Sequence, residues 1–114
     1  METLIQETGI LKDVNMFLDA IYETDEYKEF QIQKEKIKRF PDVKAKIDEL
    51  RLKNYDLQSH SQSDNLMVEL EQLQKEYESI LETPLVADFL QAEIDFCRLM
   101  QHINLYITEK LDFE

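Results

Sequence analysis

One glycine and two prolines in 114 residues leave this chain few places to turn tightly. Sheet proteins of this size draw on many more such residues, because strand connections need backbone conformations that glycine and proline favour. The shortage points to long helices with few connections. The length suits one domain whose small core needs no staples. An apolar content of 43% is enough to pack that core and too high for a disordered chain. The expectation is an all-α fold of about five helices, forming a single helical domain over 1–114.

The apolar periodicity places those helices. Ile10, Leu11, Val14, Phe17, Leu18 and Ile21 recur at three- and four-residue steps, which is one face of an amphipathic helix. Thr24 and Asp25 then offer oxygens for a new N-terminus, and Tyr27, Phe30 and Ile37 continue at helical spacing. Phe40-Pro41-Asp42 is a boundary. The proline ring pushes Phe40 out of the α region, while Pro41 and Asp42 suit the first turn of a helix.

Val43, Ile47, Leu50, Asn54 and Leu57 follow, then the polar run Ser59 to Asn65, then Leu66, Leu70, Leu73, Tyr77 and Ile80. These two segments predict an antiparallel, coiled-coil-like hairpin over about 42–82, with Asn54 as a polar seam residue. Thr83-Pro84 restarts the chain, and the last helix is expected over about 84–110. At ~100° per residue, Val86, Phe89, Leu90, Phe96, Met100, Ile103, Ile107 and Leu111 share one broad face, which Leu99 and Tyr106 widen. That arc is wider than the stripe of a surface helix, so it needs cover on more than one side.

Charge and composition exclude several classes of function. A net charge of −12 repels phosphate backbones, so no direct nucleic-acid partner is expected. Residues 25–53 hold nine bases and seven acids, leaving the rest of the chain strongly acidic. Met1-Glu2-Thr3 opens without a basic or apolar leader pattern, and no apolar run approaches the ~20 residues of a membrane span. A cytoplasmic protein with no membrane partner is the expectation.

Residues able to carry chemistry are few. Cys97 is the only cysteine, which rules out an internal disulfide and a multi-thiolate zinc site within one chain. It reads as a small hydrophobe at the edge of the last helix's apolar face. His60 and His102 are far apart in sequence and read as solvated histidines. One glycine cannot build a phosphate loop, and no carboxylate pair has a reason for split pKa values. No metal, cofactor or catalytic residue is expected, and the chain does not read as an enzyme.

Glu93 is the odd residue, a carboxylate near the centre of the apolar arc. Burial there would require a partner or a proton. It is either a boundary residue bonded to another helix or a polar contact that sets register at an oligomer interface. Val86, Phe89, Leu90, Glu93 and Phe96 form the candidate oligomer interface, because they would leave a large apolar patch on a monomer.

The chain resembles the YlbF/YmcA family of small bacterial helical regulators. The likeness covers about residues 10–110. It rests on the run Glu23 to Phe30, on Phe40-Pro41-Asp42, and on the run Thr83 to Glu93 continuing through Phe96, Leu99, Met100 and Ile103-Asn104. The resemblance implies a helical fold with a protruding hairpin and self-association. It also implies a place among regulators of competence, sporulation, biofilm formation and RNA maturation. Relatives linked to iron–sulfur clusters use cysteines that include some in a C-terminal tail. This sequence closes on Asp112-Phe113-Glu114, so no cluster is expected. The expected function is a cytoplasmic, non-enzymatic adaptor that contacts itself, as a homodimer or higher, and other regulatory proteins. The alternative is a small chaperone-like holder, which the polar hairpin tip disfavours.

Overall fold

The computed structural model describes residues 9–60 and 65–112. Six helices and no strand occur among them: α1 (Gly9–Tyr22), α2 (Asp25–Lys38), α3 (Pro41–His60), α4 (Leu66–Glu76), α5 (Glu78–Leu81) and α6 (Pro84–Leu111). The all-α expectation holds. No helix among the described residues is long and apolar enough to cross a membrane.

Local chemistry sets the helix boundaries. The Thr24 hydroxyl accepts the Tyr27 N–H at 3.2 Å and donates to the Ile21 carbonyl at 2.7 Å. One side chain thus closes α1 and caps α2. Asp25 and Glu26 in the first turn of α2, and Lys36 and Lys38 in its last, complement the helix dipole. At the next boundary the Phe40 N–H donates to the Ile37 carbonyl, and the Phe40 carbonyl accepts from Val43 and Lys44. α3 starts at Pro41 as the sequence predicts. α6 likewise starts at Pro84, with the Thr83 hydroxyl donating back to the Ile80 carbonyl at 2.7 Å.

The chain packs as two compact units, one of residues 1–32 with 92–114 and the other of Gln33–Gln91. Helices α2 and α6 each run from one unit into the other. In the first unit an aromatic cluster joins α2 to α6. Tyr27 meets Phe96 edge-on at 5.6 Å, Phe30 stacks on Phe96 at 5.5 Å, and Tyr22 lies 5.0 Å from Tyr27. Such ring pairs stabilise beyond their buried area. Ile21 and Ala92 are buried in this unit.

The second unit holds the hairpin. Glu49 bonds Tyr77, Lys53 reaches Glu76, and Leu57 lines a depression with Glu69. Partner numbers fall as α3 numbers rise, so the arms are antiparallel. Ile37, Ile47, Leu73, Tyr77, Val86 and Phe89 are its buried apolar residues, with Gln33 buried among the polar ones.

Three details differ from the sequence reading. The second arm is not one helix, because it breaks at Tyr77, whose N–H points to the carbonyls of Gln74 and Lys75. That break raises the helix number to six. Asn54 is exposed rather than seated in the seam, and its Oδ1 accepts from Gln58 Nε2 at 3.3 Å. α3 also continues through Ser59 to His60, which the sequence assigned to the turn. The rest of that turn, Ser61 to Asp64, lies outside the described residues.

Candidate interaction surfaces

The five residues expected at an oligomer interface do not form an exposed patch. Val86 is 0% exposed and Phe89 6%. The Arg51 guanidinium lies 5.9 Å from the centre of the Phe89 ring, a cation–π contact with α3. Leu90, Glu93 and Phe96 are half-buried. Phe96 is taken up by Tyr27 and Phe30. Within the expected apolar arc of α6, Val86 and Phe89 are covered by their own chain, whereas Ile107 and Leu111 are exposed. Cys97 also departs from expectation, because it is exposed. Its helix turns that position away from the stripe that runs through Phe89, Ala92 and Phe96.

The exposed apolar side chains of the first unit lie elsewhere. Ile10 is 67% exposed, and Val14, Phe17 and Leu18 on the same face of α1 are exposed as well. Only Ile21, at the end of that stripe, is buried. Phe17 lines an apolar depression of about 490 Å³ with His102, Ile103, Tyr106 and Ile107 of α6. Tyr106 is 62% exposed, with the Lys110 ammonium over its ring at 5.4 Å. Leu111 extends the exposed apolar set by one more turn.

The hairpin carries a polar network instead. Tyr77 Oη donates to Glu49 Oε1 at 2.7 Å. Lys53 Nζ lies 3.2 Å from the same oxygen, and Lys46 Nζ lies 3.5 Å from Oε2. The Tyr77 hydrogen bond, then that of Lys53, lowers the Glu49 pKa from 4.5 to about 2. Lys53 is held above the usual lysine range, first by Tyr77 and then by Glu49. The Lys53 ammonium also sits 5.2 Å from the Tyr77 ring centre. Glu49 and Lys53 thus favour each other's charged form while Tyr77 donates to the carboxylate, an arrangement that suits structure rather than proton transfer.

His60 and His102 are both exposed. The Nδ1 of His60 lies 3.2 Å from the Asp56 carbonyl, so its ring is tied to its own helix. Among the described residues no group of three or more His, Cys, Asp and Glu side chains is placed to hold a metal ion.

Residues 10–112 match the family model described as "Control of competence regulator ComK, YlbF/YmcA". A protein of Caldicellulosiruptor bescii called "UPF0342 protein" is 25% identical over 97 residues, covering 83% of this chain and 82% of its own length. No solved structure matches the chain.

Proposed function

Because the chain belongs to the YlbF/YmcA family of competence-control regulators, we propose that it is a regulatory adaptor that acts by protein–protein contact through the apolar face of α1 and the end of α6. The observation that carries this reading is the exposure of Ile10, Val14, Phe17, Leu18, Tyr106, Ile107 and Leu111. Contiguous apolar surface of this kind on a soluble protein marks a binding face. It stands out on a chain whose charged residues amount to 33%.

Self-association uses the same face. A second copy brings an equal apolar surface, and a two-fold contact sets each face against its counterpart. The interface moves from Val86 and Phe89, which the chain buries itself, to Phe17, Tyr106 and Ile107. Control of competence is the process to which the family description points. The polar network at Glu49 and the isolated histidines favour an adaptor over an enzyme.

Sedimentation at micromolar concentration tests the contact. The unaltered chain should exceed its 13.7 kDa monomer mass, and Phe17→Asp should return it to that mass with helicity unchanged. In the native host, the Phe17→Asp allele should reproduce the deletion phenotype at normal protein level. A monomeric unaltered chain, or a fully active Phe17→Asp allele, would overturn the reading.

A further inference from the structure

The α3–α4 hairpin has two unlike sides. One carries Lys53, Asp56, His60 and Glu69 around Leu57 and Leu73. Lys53 is committed there to Glu49 and Glu76. The other side is a groove of about 440 Å³ floored by Leu50, Leu70 and Leu81, with Met67 at one end. Met67 is 68% exposed. The α3 wall of this groove is neutral, made by the amides of Asn54 and Gln58.

The α4–α5 wall is different. Glu71 and Gln74 continue the groove into a neighbouring depression of about 350 Å³, which adds Lys75, Glu78 and Glu82. Glu71, Glu78 and Glu82 follow one another along one edge, and none of the three makes a side-chain ion pair among the described residues. Lys75 offsets one of the three charges. The groove is thus apolar along its floor, neutral on one wall and net negative on the other.

We propose that this side of the hairpin docks an amphipathic helix of another protein, apolar along one stripe and basic along the edge that faces α4 and α5. Two packed helices leave a groove that a third helix fills by setting apolar residues at three- and four-residue steps into it. The α4 part of the α4–α5 wall, from Met67 to Glu76, is about 14 Å long at 1.5 Å per residue, or between two and three turns. Charge complementarity selects the partner and its orientation. Lysine or arginine on the incoming helix meets Glu71, Glu78 and Glu82, while its other edge meets only amides. A second copy of this chain is a poorer occupant, because Asp13 and Asp19 punctuate its exposed α1.

The probe is a designed helical peptide with leucines on one stripe and lysines along one edge, titrated into the full chain by fluorescence anisotropy. A matched peptide with glutamates in place of the lysines is the control. The lysine peptide should bind one to one and retain binding at high salt, where attraction to a diffuse negative charge is screened. Glu71→Lys combined with Glu78→Lys should weaken it by about tenfold or more. Asp56→Lys, on the opposite side of the hairpin, should leave affinity within about twofold. Circular dichroism confirms that these surface variants keep their helicity. Equal losses from both sets of variants, binding that vanishes at high salt, or no binding of the lysine peptide would each overturn the proposal. So would dissociation of a self-dimer by Met67→Asp, which would place a second copy in the groove.

Discussion

The Tyr77 hydroxyl donates to Glu49 Oε1 at 2.7 Å, and this bond ties the break between α4 and α5 to the α3 arm. Tyr77 is buried, so its hydroxyl needs a partner within the fold. Glu49 supplies it and in return is held ionised well into acid.

Tyr77→Phe removes the largest cause of the Glu49 shift. The Glu49 midpoint should then rise from about 2 toward its ordinary 4.5, read by carboxyl carbon NMR. A depressed folded pKa contributes stability that is present above 4.5 and is lost as pH falls toward 2. The unaltered chain should therefore lose more stability than Tyr77→Phe between those two pH values. Identical acid limbs in the two melts would show that the bond does not form in solution.

Phe89→Ala should destabilise the fold by about 3–5 kcal/mol, the usual cost of emptying a buried aromatic site. The surviving folded fraction should keep the oligomer mass of the parent, because Phe89 is 6% exposed and unavailable to a partner. Urea denaturation and light scattering separate the two effects. A stable Phe89→Ala variant with a reduced mass would return Phe89 to the interface.

Thr24→Ala should cost about 0.5–2 kcal/mol, because the α2 N-terminus loses its side-chain cap. Thr24→Ser should recover most of it. The comparison is Thr108→Ala, whose hydroxyl only bonds the Asn104 carbonyl of its own helix at 2.8 Å. Equal melting curves for Thr24→Ala and Thr108→Ala would show that the cap does not hold α2.

Cys97 is exposed and should react fully with a disulfide thiol reagent without denaturant. The measurement is absorbance of the released thiolate, native against denatured. Protection of the native thiol would indicate that a partner surface covers this side of α6.

Much of the backbone plan was legible in the sequence. Thr24-Asp25, Phe40-Pro41 and Thr83-Pro84 mark helix starts because capping and proline geometry act within a few residues. The antiparallel arms were legible because two apolar repeats flank one short polar run. These are local or nearest-neighbour effects.

What only tertiary structure decided is which apolar surface gets covered. Periodicity shows that α1 and α6 each have an apolar face, but coverage depends on where the neighbouring helices begin and end. Val86 and Phe89 are buried, while Val14, Phe17 and Tyr106, equally apolar in pattern, are left exposed. The break at Tyr77 has the same origin. The ring is buried and its hydroxyl reaches Glu49, 28 residues away in sequence, a separation over which no helical repeat carries information. Contacts between distant segments are set by how the helices pack, and local pattern records only which side of each helix seeks cover.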